Sequence, residues 1–251
     1  MSSGDNNNNN RMPTIYVGYD DKEKLYYDVL KYSIEKYASA PVNIVPLKQD
    51  SLRLSGLYRR SKKVLDGKQV DVFDSKPFST EFSFSRFLVP FINMHEGMAL
   101  FMDCDMYMRS DVMELFNRLS NCRDAISCVQ HNYIPKEKTK MDGKPQTIYP
   151  RKNWSSFVLW NCSHPDLKNE LTVSDINVKS GTWLHGFHWC ESIGSINEEW
   201  NWLDGHSSEY IEPKCVHFTT GGPLFRAWEP KRKIDEKYAL EWTELYEEMT
   251  K

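Results

Sequence analysis

The chain has 251 residues, enough to bury a sizeable core in one large domain. It is 27% charged with a net charge of −3, so there is no overall positive field to hold a polyanion and nucleic acid is excluded as a general partner. No apolar run approaches the roughly 18 residues of a membrane-spanning helix, and the opening MSSGDNNNNN lacks the basic and apolar regions of a signal peptide. These features predict a soluble, cytoplasmic protein.

Residues 1–12 read as a disordered, Asn-rich tail and residues 13–251 as a single domain. Thr14-Ile15-Tyr16-Val17-Gly18 reads as a buried strand. Leu25, Val29, Tyr32, Ser33 and Tyr37 then fall at helical spacing, and residues 42–47 form a second strand. That opening predicts an α/β layer with a parallel sheet.

Residues 48–78 are basic and weakly periodic, and are expected to be a mobile loop. Arg59 and Arg60 are its candidate phosphate partners. Phe84, Phe87, Leu88, Phe91 and Ile92 mark a helix face that Pro90 is expected to kink. Residues 99–102 form a buried strand that ends in Asp103-Cys104-Asp105, and Ser110-Asp111 reads as the start of the next helix.

Strands are expected at 125–129, 157–160 and 214–218, and a terminal helix at 234–249. The polar stretch 136–153 is longer than a connection needs, so it is a candidate binding loop. Six cysteines without a CxxC pair are expected as reduced thiols. The sequons at Asn153 and Asn161 flank an apolar run and read as chance matches. All eight tryptophans lie in the second half, where aromatic faces could meet sugar C–H faces or fill a core.

In an extended chain alternate residues project to one side, so Asp103 and Asp105 can face the same cation. The C-terminal edge of a parallel strand is also where open α/β sheets bind ligands. A hard divalent ion held there by two carboxylates keeps sites free for phosphate oxygens. Gly18-Tyr19-Asp20-Asp21 ends the first strand, where an Asp could accept from a uracil N–H beside the Tyr19 ring, or cap a helix.

The passage from Ser83 to Phe116, helix, strand, Asp103-Cys104-Asp105, short strand and capped helix, resembles the GT-A glycosyltransferases. It is most similar to family 8, with the small chlorella-virus glycosyltransferases and their bacterial relatives. The resemblance implies a Rossmann-like single domain with a mixed, mostly parallel central sheet flanked by helices. It implies Mn²⁺ (Mg²⁺ as the alternative) on Asp103, Asp105 and His217, the last from Cys215-Val216-His217-Phe218-Thr219-Thr220-Gly221-Gly222. A UDP-sugar donor would then contact Tyr19, Asp20, Arg86, Cys104, Gly221 and Gly222.

The segment from Lys140 to Ser156 is similar to one in the bacterial and viral relatives. Trp154-Ser155-Ser156 stands where family 8 has Asn-Ser-Gly, and it is expected to meet the sugar or acceptor. His188 falls near the family's Gln beneath the anomeric carbon, so His188 and Arg86 are the candidate catalytic groups. The implied activity is transfer of a hexose from a UDP-sugar to a glycan or glycoprotein acceptor with retention of configuration, in viral or bacterial glycan synthesis. A haloacid-dehalogenase-type phosphatase, which also carries a DxD after a strand, and a non-catalytic carbohydrate-binding protein are the alternatives.

Overall fold

The first apolar run becomes β1 (Thr14–Gly18), buried at every residue. The computed structural model describes residues 12–132, 150–219, 221–224 and 236–251. Helix α1 (Lys24–Tyr37) follows β1, burying Tyr26, Tyr27, Val29, Leu30, Ser33 and Ile34. These positions recur every three or four residues, which turns one face to the sheet. Strand β2 (Asn43–Leu47) then lies parallel to β1.

Residues 48–78 are folded rather than a mobile loop. They hold α2 (Gln49–Leu54) and a hairpin of β3 (Lys62–Leu65) and β4 (Lys68–Asp71). Asp66 and Gly67 join the two strands at φ 49° and 73°, the left-handed pair that a two-residue hairpin turn requires. Arg60 is 0% exposed and ion-pairs with Asp71. It also donates to the carbonyls of Ile176 at 2.9 Å and Lys179 at 2.7 Å, and its guanidinium lies 3.7 Å from the centre of the Phe84 ring. With its donors committed inside the fold, Arg60 is a strut and not a phosphate partner. Arg59 beside it is exposed.

The helix expected over 84–92 is a 3-10 turn, Ser85–Leu88, running into α3 (Val89–Ile92). Pro90 produces no kink, because it sits in the first turn of α3, where its missing N–H has no partner to lose. Strand β5 (Met98–Met102) leads through the Asp103-Cys104-Asp105 turn to β6 (Met106–Met108) and α4 (Met113–Leu119). Asp111, not Ser110, serves the start of α4, accepting from the Met113 N–H at 2.9 Å.

Beyond it come β7 (Ile126–Val129), β8 (Phe157–Asn161), α5 (Pro165–Asn169), α6 (Val173–Val178) and α7 (Gly181–His185). Strands β9 (Ile193–Ile196), β10 (Trp202–Leu203) and β11 (Cys215–His217) and helix α8 (Glu236–Met249) complete the chain. The main sheet has the order β2-β1-β5-β8-β7-β9. Only β8 runs against its neighbours, so the sheet is mixed and mostly parallel, as expected.

Two pairings position the site. Val17 lies opposite Met102, so β1 and β5 end side by side with Gly18 next to Asp103. In the small sheet β10-β11-β6, His217 lies opposite Met106, which places it one residue from Asp105. Ser33 fastens α1 beneath this sheet, its hydroxyl accepting from the Met108 N–H at 2.9 Å.

Trp160, Trp189, Trp200, Trp202 and Trp242 are buried, so the tryptophan excess is mostly core. Trp154 and Trp183 are half-buried. Trp228 lies outside the described residues, as do all but Met12 of the expected N-terminal tail and residues 136–149 of the candidate binding loop. All six cysteines are free. Among the described residues no helix is long and apolar enough to cross a membrane.

Candidate metal centre and its surroundings

One ligand atom each from Asp103, Asp105 and His217 lies within 4.8 Å of the others. Asp103 follows β5 directly, and its N–H donates to the Ser156 carbonyl at 2.9 Å. Asp105 precedes β6, and its carbonyl accepts from the Phe218 N–H at 2.9 Å. These backbone bonds extend the two sheets by one residue each, so both carboxylates stand on paired backbone rather than on a free loop.

His217 reaches the pair through a chain of hydrogen bonds whose direction can be worked out. The Asn153 carbonyl can only accept, so the Ser156 hydroxyl donates to it at 2.7 Å. The Ser156 oxygen then accepts from the Asn201 amide nitrogen at 3.0 Å. That turns Asn201 Oδ1 toward His217, 2.9 Å from Nδ1. The Nδ1 must carry the hydrogen, and in the neutral ring Nε2 is left with its lone pair.

Nε2 lies 3.3 Å from Asp105 Oδ1, a buried oxygen that accepts no hydrogen bond from the described residues. Two lone-pair atoms facing each other at this distance repel unless a proton or a metal ion lies between them. The donor set, two carboxylates and one imidazole whose second nitrogen is held by an amide oxygen, therefore fits a divalent ion.

Arg86 is buried and stands behind Asp103, with Nη1 2.8 Å from Oδ1 and 2.9 Å from the Ser155 carbonyl. Burial pushes the Asp103 carboxyl pKa upward, and the guanidinium pulls it back. Cys104 turns to Glu23, donating from Sγ to Oε2 at 3.1 Å. Burial, with the charge on Asp105 next, raises the Glu23 carboxyl to about 7. The field around the three ligand atoms is thus negative except for Arg86, which again suits a cation.

Gly221 has φ 102° and Gly222 packs under Tyr26, where an added Cβ would lie 2.2 Å from Cε1. The Leu224 N–H donates to the Tyr26 hydroxyl at 3.2 Å, which pins this loop onto α1. Asp20 has local duties, accepting from the Lys22 N–H at 3.0 Å and the Glu81 N–H at 3.3 Å. Tyr19 is buried edge-on against Tyr27, with the Lys48 ammonium over its ring at 4.9 Å.

Trp154, Ser155 and Ser156 form a 3-10 turn at the head of β8, directly against Asp103 and Arg86. His188 is exposed beyond α7, with its ring against the Gly186 backbone. The imidazole that reaches this turn is His185, with Nδ1 2.7 Å from Ser155 Oγ. Sequence reasoning did not find His185, Glu23, His131 or the relay through Asn201.

No family model matches the chain. Protein CDI of Arabidopsis thaliana is 46% identical over 244 residues, covering 94% of this chain and 87% of that protein. The chain belongs to the Protein CDI family. Its backbone is similar to solved glycosyltransferases: the galactosyltransferase LgtC in complex with donor and acceptor sugar analogs, at TM-score 0.57, 13% identity and 95% and 96% coverage of the two chains. The bifunctional glycosyltransferase WbbM gives TM-score 0.56 at 13% identity, over 94% of this chain and 52% of that one. GlyE of Streptococcus pneumoniae TIGR4 gives 0.51 at 14%, over 95% and 63%. This CDI-family chain thus spans about half the length of WbbM. At such identities the likeness establishes the fold, which is the GT-A glycosyltransferase fold.

Proposed function

We propose that the protein is a glycosyltransferase that moves a hexose from a UDP-sugar to a glycan or glycoprotein acceptor with retention of configuration. The observation that carries this reading is the Asp103–Asp105–His217 acceptor set at the carboxyl edge of β5, on a GT-A fold. A Mn²⁺ ion held by these residues would supply Lewis-acid neutralisation of charge on the departing diphosphate.

The chain's own groups do the rest. Asn201 holds His217 in the ligating tautomer, and Arg86 keeps Asp103 aimed from behind. The Gly221-Gly222 backbone offers close approach to phosphate oxygens. The ends of β1 and α1 receive the nucleoside at Tyr19 and Asp20. Trp154-Ser155-Ser156 borders the sugar, with His185 fixing Ser155. No strong general base is needed, because the diphosphate leaving with the bond's electron pair can take the acceptor's proton. His188, being exposed, is given no step.

Titration calorimetry tests the reading. UDP should bind with Mn²⁺ and weakly without it, and Asp105→Asn should abolish the metal-dependent part while the melting temperature holds. Unchanged affinity in that variant refutes the site.

A further inference from the structure

Beside the acidic set lies a second concavity that the proposed donor site leaves unused, about 450 Å³ in volume. Its walls are the ends of β7 and β9, the 3-10 turn Glu198–Asn201 and β10, and they present His131, Asn132, Ser195, Asn197, Glu198 and His206. Its volume lies in the range of about 300–1,000 Å³ usual for small-molecule sites.

Three contacts make this cleft continuous with the candidate metal centre. Leu203 lines it and pairs in register with His217. His131 lines it too, and its ring bonds to the backbone of Asn201, the residue whose side chain holds His217. The His131 carbonyl accepts from Trp154 Nε1 at 3.0 Å, which ties the cleft to the turn against Asp103. A molecule seated here would therefore border the place where the donor's sugar is expected.

The lining chemistry selects the occupant. It holds no Lys or Arg, one carboxylate, two imidazoles, three side-chain amides and two hydroxyls. These are donors and acceptors for hydroxyl groups. A phosphate or carboxylate entering this cleft would meet Glu198 with no positive partner, a like-charge clash that excludes. Burial holds the His131 imidazole neutral by pushing its pKa down to about 4, and its Nε2 has no hydrogen-bond partner among the described residues.

We propose that this cleft is the acceptor subsite and that it takes an uncharged, polyhydroxylated end, a neutral sugar or polyol, in preference to a phosphorylated acceptor. The assignment rests on the donor reading above. In the step, the acceptor hydroxyl oxygen bonds to the anomeric carbon and the bond from that carbon to the diphosphate oxygen breaks. Its electron pair leaves with UDP, and the hydroxyl proton passes to the diphosphate, so the products are the glycoside and UDP.

Ser195 and Asn197 suit the test, because both are exposed and Asn197 makes no side-chain capping bond. Ser195→Trp and Asn197→Trp would fill the cleft without removing a structural contact. Each protein is given a panel of UDP-hexoses with Mn²⁺, and a panel of neutral oligosaccharides with their 6-phosphates. Transfer by the wild type should favour the neutral set. In the variants it should fall tenfold or more, while Mn²⁺-dependent UDP binding and donor hydrolysis by water stay unchanged. Undiminished transfer by both variants, or preferential use of the phosphorylated set, overturns the cleft assignment while leaving the donor site standing. Absence of UDP binding in the wild type overturns the donor reading and this one with it.

Discussion

Asn201 Oδ1 accepts from His217 Nδ1 at 2.9 Å, and nothing else about His217 matters as much to its suitability as a ligand. The bond fixes which nitrogen is free. Asn201 is itself fixed by Ser156, so the ligating geometry depends on a residue that need not touch a cation at all. Groups in this position commonly change metal affinity by about 10–100-fold when altered.

Asn201→Leu keeps side-chain bulk and removes both bonds. Mn²⁺ affinity by calorimetry is expected to fall within that 10–100-fold range. Stability should drop by about 1–3 kcal/mol, because the His217 N–H is left buried without a partner and the Ser156 oxygen loses its donor. Ser156→Ala frees only the amide orientation, so its loss of affinity should be smaller. Equal Mn²⁺ affinity in Asn201→Leu and wild type would rule out the relay.

Much of this site was readable in the one-dimensional chain, and the reason is local. Thr14 to Gly18 and Ala99 to Met102 are continuous apolar runs because both faces of a central parallel strand are covered. Asp103 and Asp105 follow the second run at the spacing that turns two side chains to one side, and the Gly-Gly after His217 flags a close backbone approach. The relay was not readable, because Ser156, Asn201 and His217 meet only when β8, the turn before β10 and β11 come together. His185 was missed for the same reason. The hairpin at 62–71 did have a signal, Asp66-Gly67, but its strands are too short for periodicity to speak.

Arg60 gives a second test, of the opposite sign. Its partner Asp71 is 1% exposed. Removing one member of a buried ion pair strands the other charge, and typically costs about 3–5 kcal/mol. Arg60→Ala should lower the denaturant midpoint accordingly. At temperatures where the variant remains folded, UDP affinity should match the wild type. A selective loss of UDP binding with little loss of stability would restore the phosphate role that the basic sequence first indicated.

Arg86 and Asp103 form another largely buried pair, with 7% and 16% side-chain exposure. Here the outcome depends on the cation. Arg86→Ala leaves Asp103 beside Asp105 with no counter-charge, so the metal-free protein should be destabilised by a few kcal/mol, on the order of other broken buried pairs. A divalent ion on the same carboxylates replaces part of the lost positive charge. Saturating Mn²⁺ should therefore raise the melting temperature of Arg86→Ala by more than it raises that of the wild type. Equal shifts in the two proteins would show that the ion does not sit against Asp103.

Gly222 tests whether the loop after β11 is held by α1. An alanine Cβ there would meet the Tyr26 ring at 2.2 Å, far inside contact distance, and Tyr26 is 3% exposed and has little room to turn. Either the ring or the loop must shift, at a cost of about 1–3 kcal/mol. If the loop moves, the backbone offered to the diphosphate moves with it, while the Asp103–Asp105–His217 set, anchored by sheet pairing, stays. Gly222→Ala is therefore expected to weaken UDP binding and leave Mn²⁺ binding intact. Tyr26→Phe loses the bond from Leu224, worth about 1 kcal/mol, and keeps the clash. Tyr26→Ala removes the ring, so Gly222→Ala should have less effect on UDP affinity in that background than alone. A double-mutant cycle reads the difference directly. Strict additivity of the two substitutions would mean that Tyr26 does not position the loop.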